Sequence, residues 1–123
     1  MSKISDKIEE LIKTGFPLLH YAKEKYVPYR GRKLFFDFTI PELNIYIEVQ
    51  GRQHYVRIPF FHNKAGTFKS QRYRDQLKTE WCAKQDVILL EFSYKEIDKL
   101  TVDKFRNIIL KAVRDYNERH RVA

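Results

Sequence analysis

Asp37 and Glu48 each interrupt an apolar run, LFFDFTI (34–40) and IYIEVQ (45–50), and only PELN separates the runs. Side chains alternate along a strand. Leu34, Phe36 and Phe38 then share one face, and Phe35, Asp37 and Thr39 the other; Ile45, Ile47 and Val49 oppose Tyr46, Glu48 and Gln50. A loop of residues 41–44 pairs Ile40 with Ile45 and sets Asp37 opposite Glu48, with β carbons about 5 Å apart. Like charges so placed repel, and partial burial would raise one of the two pKa values. A divalent cation removes the conflict. Mg²⁺ is held by one or two carboxylates, with water and substrate phosphates completing its shell. There it polarises a phosphodiester and lowers the pKa of bound water. Gln50 shares the Glu48 face and can hydrogen-bond a metal-bound water or a phosphate oxygen, but cannot act as a base. Gly51 follows at once and allows close backbone approach. The competing reading is a solvated face whose acids pair with Lys25 or Arg32, and a bulge would part the two acids.

The hairpin needs a frame. ISDKIEELIKTG reads as a helix capped by Ser5, striped by Ile8, Leu11 and Ile12 and ended by Gly15. Residues 19–27 read as a strand, stopped by Pro28 and followed by the basic turn YRGRK. Residues 34–40 and 45–50 are the next two strands, and 51–66 form a loop. A helix runs from Thr67 to about Lys84 with Tyr73, Leu77 and Trp81 on one face. VILLEF (87–92) is continuous and apolar, as in a buried central strand. A short turn spans Tyr94–Leu100. Thr101 opens a last helix striped by Phe105, Ile108, Ile109, Ala112, Val113 and Tyr116. The order helix, three strands, helix, strand, helix predicts a single α/β domain over 1–123 with a mixed sheet of about four strands.

The charge supports an anionic partner. The chain has 123 residues and a formal net charge of +8. Residues 23–84 hold 13 Lys and Arg against 6 Asp and Glu, so the excess lies around the hairpin. The lone cysteine, Cys82, excludes a disulfide framework and leaves a packed helix residue. With one cysteine, no apolar signal region and no apolar run of membrane-span length, the expected setting is an intracellular, reducing cytoplasm.

Asp37 followed by Glu48-Val49-Gln50 on the next strand resembles the PD-(D/E)xK nuclease superfamily, and the element order resembles that superfamily's restriction-endonuclease-like core. FDFTIPELNIYIEVQGRQHY is similar to a narrower group, the very-short-patch repair endonucleases and phage homing endonucleases of the EDxHD type. The resemblance spans roughly Ser5 to Phe92. It implies that Asp37, Glu48 and the main-chain carbonyl of Val49 bind Mg²⁺, for which Mn²⁺ can substitute. It implies a general acid or base at His54, a supporting acid at Glu9 (with Glu10 competing) and another at Asp75. Gln50 stands where most of the superfamily has lysine, which removes a cationic water activator from that position. Imidazole suits proton transfer near neutral pH. His62 is the rival to His54.

Lys25, Arg30, Arg32, Lys33, Arg52, Arg57, Lys64, Lys69, Arg72, Arg74 and Lys78 surround this motif, interleaved with Tyr26, Tyr29, Tyr55, Phe60, Phe61 and Phe68. That mixture fits a phosphate track with stacking side chains. Phe60 and Phe61 are candidate wedges, or anchors of their loop. The expected protein is a Mg²⁺-dependent DNA endonuclease that nicks as a monomer and cuts both strands as a homodimer. Two alternatives remain: a structure-selective nuclease such as a four-way-junction resolvase, and a DNA-binding module that has lost catalysis.

Overall fold

The computed structural model describes residues 3–50 and 67–121. The first helix, α1 (Lys3–Gly15), is followed by β1 (Ala22–Tyr29), β2 (Arg32–Ile40) and β3 (Ile45–Gln50). Then come α2 (Thr67–Gln85), β4 (Ile88–Ser93), α3 (Tyr94–Lys99) and α4 (Val102–His120). The sheet order is β1-β2-β3-β4. β1–β2 and β2–β3 are antiparallel, and β3–β4 is parallel. This is the expected α/β architecture with a mixed four-stranded sheet.

The helices cover the sheet on two sides. On one side α1, α3 and α4 bury Ile8, Ile12, Ile97, Phe105 and Ile109 against Phe38, Ile40, Ile45, Ile47, Ile88 and Phe92. On the other, Leu77 and Cys82 of α2 pack on Val27, Leu34 and Phe36. The α1 stripe is buried as expected, although Ser5 lies inside the helix rather than capping it. In α4, Phe105 and Ile109 are buried but Ile108 is exposed, since it sits off the covered face. The Thr101 hydroxyl caps α4 by accepting from Lys104 N.

Several expectations need correction. The first strand starts and ends three and two residues later than expected, at Ala22 and Tyr29, and Pro28 lies within it. Pro28 is tolerated because, among the described residues, β1 is an edge strand, where one side of the backbone needs no ladder bond. The basic turn is a two-residue hairpin of Arg30 and Gly31, both at positive φ (48° and 72°), which matches the twist of the flanking strands. Nothing lies within 4 Å of a Cβ built on Gly31, so Gly31→Ala isolates the backbone effect. Urea unfolding should show a loss of about 1–2 kcal/mol from forcing alanine into the left-handed region.

Residues 94–99 form a helix, not a turn: Ser93 and Glu96 make a reciprocal capping box. Among the described residues β4 is an edge strand rather than a central one. Its run is apolar because helices cover both of its faces, Ile88, Leu90 and Phe92 on one side and Leu89 on the other. PELN holds a single 3₁₀ turn (Pro41–Leu43) closed by Asn44 in the left-handed conformation, with Asn44 N donating to Pro41 O.

Asn44 also docks the hairpin turn to the start of β4. Its side chain donates to Asp86 O, and Ile88 N donates to Asn44 O. Asp86 in turn holds His120 of α4, Oδ2 to Nε2, at 2.6 Å. The carbonyl of Tyr116 and then Asp86 raise the His120 pKa. A raised folded-state pKa means that this contribution is fully present below pH ~6.5 and lost as pH rises through the higher value. NMR titration of His120 should return toward the free imidazole value in Asp86→Asn.

Candidate functional site

The hairpin forms in the expected register: Ile40 pairs with Ile45, Thr39 with Tyr46 and Phe38 with Ile47. The next pair, Asp37 with Glu48, does not form a ladder rung. On the other edge of β2, the Glu24–Asp37 rung is also missing, and Glu24 has a positive φ of 51°. The ladder is therefore interrupted at Asp37 on both sides. In place of a carbonyl, Asp37 Oδ2 accepts the Val49 N–H at 2.7 Å. A strand N–H points sideways within its sheet, so this bond holds the carboxylate in the gap between β2 and β3.

The same interruption overturns the assignment of Leu34, Phe36 and Phe38 to one face. Leu34 and Phe36 pack under α2, whereas Phe38 and Ile40 pack under α1 and α4. Strict alternation fails because β2 changes face at Asp37. Tyr46 follows its own parity to the α2 side, where it meets Phe36 edge-on at 4.9 Å between centroids. Trp81 of α2 completes the group at 5.5 Å from Phe36 and 5.4 Å from Tyr46. These rings seat α2 on the sheet. Leu77 and Trp81 face inward, and Tyr73, expected with them, is exposed.

That seating delivers Lys78. Its Nζ lies 2.7 Å from Glu48 Oε1, with both side chains about one-sixth exposed (16% and 15%). The contact is an ion pair without aligned hydrogen-bond geometry. The same ammonium lies 5.6 Å from the centre of the Phe36 ring. Burial pushes the Glu48 carboxyl up to about 8; Lys78 opposes the rise and the Asp37 carboxylate adds to it. The repulsion expected between the two acids is thus present without a ladder pair between them. Burial also holds the Cys82 thiol up, at about 12, in keeping with a packed helix residue.

A cleft beside this pair is lined by Glu48, Gln50, Asp75, Lys78, Thr79, Leu89 and Glu91. Asp75, Lys78 and Thr79 share one face of α2 through their i, i+3, i+4 spacing. Four expected residues, Glu48, Gln50, Asp75 and Lys78, therefore converge, and Asp37 adjoins them through Glu48. Glu91 was missed. It is the register partner of Glu48 across the parallel β3–β4 pair and accepts a hydrogen bond from Gln50 Nε2. Its signal was present: an acid inside VILLEF breaks an apolar run just as Asp37 and Glu48 do. Glu9 does not line the cleft. Its carboxylate accepts from Tyr21 Oη at 2.6 Å and Lys23 Nζ at 3.1 Å, tying α1 to β1, and these two bonds lower its pKa. Glu10 is exposed.

Of the cations expected to contact DNA, Lys25, Arg30, Arg32, Lys33, Arg72 and Arg74 are exposed. Arg30 bridges to Glu80 and Arg32 lies over the Tyr73 ring. Lys78 differs from these, being turned inward to Glu48. Arg52, His54, Arg57, Phe60, Phe61, His62, Lys64 and the side chain of Lys69 lie outside the described residues.

Among the described residues, no three histidine, cysteine, aspartate or glutamate side chains converge on one point. The candidate metal centre is a two-carboxylate one. Asp37 and Glu48 fit a hard divalent cation, because a cation would relieve both the burial penalty and the repulsion that raise the Glu48 pKa. No helix among the described residues is long and apolar enough to cross a membrane.

No protein-family model and no solved structure matches the chain. Two curated viral proteins do. Uncharacterized protein 307L of Invertebrate iridescent virus 6 is 38% identical over 72 residues, covering 57% of this chain and 36% of the viral protein. Uncharacterized protein 033L of Invertebrate iridescent virus 3 is 36% identical over 67 residues, covering 54% and 34% respectively. The chain thus spans little more than a third of the relatives it matches.

Proposed function

We propose that the protein is a metal-dependent DNA endonuclease of the PD-(D/E)xK type, with a restriction-endonuclease-like core. The observation that carries this reading is the Asp37–Glu48 pair at a break in the strand ladder, with Glu48 raised to about 8 and Lys78 set against it. A fold selected for stability alone would seldom set two carboxylates together in partial burial, whereas a perturbed carboxylate in a cleft is a mark of function. The basic surface around the hairpin supplies the attraction for a polyanion.

In this reading Asp37 and Glu48, with the Val49 carbonyl, hold Mg²⁺ or Mn²⁺. When bound, the ion would supply Lewis-acid polarisation of the scissile phosphate and of an attacking water. The Val49 N–H fixes Asp37, so the carboxylate is oriented before any ligand arrives. Lys78 places a cation beside Glu48, close to where the absent lysine of position 50 would have supplied one. Released from Glu48, its ammonium is placed to bind a phosphate oxygen. Gln50, steadied by Glu91, orients a water and takes no proton. Asp75 flanks the same cleft. His54 remains the proposed proton carrier of the EDxHD type.

The test is nicking of supercoiled plasmid with Mg²⁺, run beside mismatched duplex and four-way junctions. Metal-dependent relaxation is the expected result. No cleavage of any substrate, together with no heat of Mg²⁺ or Mn²⁺ binding by calorimetry, would sink the nuclease reading and leave a DNA-binding module.

A further inference from the structure

We propose that the outer face of the β1–β2 hairpin is a stacking platform for unpaired nucleotides, built on Tyr26 and Phe35. The choice of DNA as the strand rests on the nuclease reading, which the proposal deepens by giving the substrate a single-stranded stretch.

Tyr26 and Phe35 are register partners across the hairpin, with ring centroids 5.3 Å apart and ring planes 39° apart. Both are large rings left open, 46% and 50% exposed. Their neighbours Val27, Leu34 and Phe36 fill the opposite face, under α2. The helical layer of α1, α3 and α4 reaches the sheet only from Phe38 onward along β2, so among the described residues it leaves this pair uncovered. The change of face at Asp37 produces this bare patch, because apolar residues on either side of it serve different layers.

The surroundings select the occupant. Residues 22–40 hold five Lys and Arg against Glu24 and Asp37 alone. Lys25, beside Tyr26, and Lys33, two residues before Phe35, are exposed. Aromatic rings with adjacent cations suit bases stacked above and phosphates running alongside. Among the described residues the edge of β1 is open but unsuited to a protein strand: Pro28 lacks an N–H, Glu24 departs from extended geometry, and exposed Lys25 adds charge. The positive-φ Arg30–Gly31 turn sets the register that pairs the two rings. Phe35 lies two residues from Asp37 on β2, about 7 Å along the strand. The rings face away from α2, whereas Glu48 meets Lys78 on the α2 side, so a strand stacked on the rings runs on the sheet face opposite that cleft.

The experiment measures binding, not cleavage. Fluorescence anisotropy follows a labelled twelve-residue oligothymidylate and a duplex of equal length, with EDTA present. The wild-type protein should bind the single strand. Tyr26→Leu/Phe35→Leu keeps apolar bulk but removes both rings, and should weaken single-strand binding at least about tenfold while changing duplex binding little. Lys25→Gln/Lys33→Gln should reduce the salt dependence for both probes. Unchanged single-strand affinity in the leucine variant, an equal loss for both probes, or no single-strand binding by the wild type would overturn the platform. So would a concentration-dependent dimer that the leucine variant abolishes, because the face would then belong to a second copy of the chain. Since no metal is present, failure here leaves the nuclease reading standing. Failure of nicking with intact ring-dependent binding removes that reading and leaves the platform.

Discussion

In Asp37→Asn, Mg²⁺-dependent nicking is expected to fall to background while the protein stays folded. The asparagine side-chain oxygen can still accept the Val49 N–H, so the buried donor keeps a partner. What is lost is the negative charge, and a hard divalent cation binds poorly without it. Asp37→Ala makes the contrast. It removes charge and acceptor together, leaving the Val49 N–H unpaired at a cost of about 1–3 kcal/mol. Removing the charge also eases the repulsion on Glu48, so the net destabilisation in Asp37→Ala should be at the lower end. Urea unfolding without metal separates the two effects. If Asp37→Asn still nicks plasmid at the wild-type rate, the proposed metal centre is wrong.

Lys78→Met is expected to produce the largest change in stability, and the change should depend on pH. Glu48 in the folded protein holds its proton up to about 8, against 4.5 for the free group, mainly through burial. The folded state therefore binds the proton more tightly than the unfolded one. The associated stability is fully present below pH 4.5 and is lost as pH rises toward about 8, by several kcal/mol at most. Lys78 limits that loss by opposing the ionised carboxylate with its own charge. Without it, the carboxylate would be buried with Asp37 as its nearest charge. Removing one partner of such a pair costs about 3–5 kcal/mol once the other is charged. Lys78→Met should thus be mildly destabilised at pH 5 and severely at pH 9. Lys78→Met/Glu48→Gln should recover most of the loss and flatten the pH dependence. Equal destabilisation at both pH values, with no rescue by the second substitution, would mean that the pair is not coupled.

The sequence by itself determined a good part of this protein. The length of PELN and the apolar periodicity give the β2–β3 register, because turn length and alternation act between near neighbours in the chain. The α1 stripe and the Thr101 cap of α4 are legible for the same reason, although Ser93 and Glu96 already spelled the capping box that makes 94–99 a helix. Asp37 and Glu48 stood out because an acid in an apolar run needs a reason.

Only the tertiary structure decided what surrounds them. Alternation predicts one face for Leu34, Phe36 and Phe38. The break at Asp37 divides them between two layers, since a side chain that captures the Val49 N–H replaces a ladder bond. Lys78 read as one more surface cation on a basic helix. The packing of Trp81 on Phe36 and Tyr46 turned α2 so that this lysine meets Glu48, and no local pattern encodes a helix's rotation on a sheet. Glu91 joined the cleft through a parallel strand pairing that spans the whole of α2. The pKa of Glu48 follows from burial, Lys78 and Asp37, because burial and neighbouring charge are properties of the assembled fold and not of the residue.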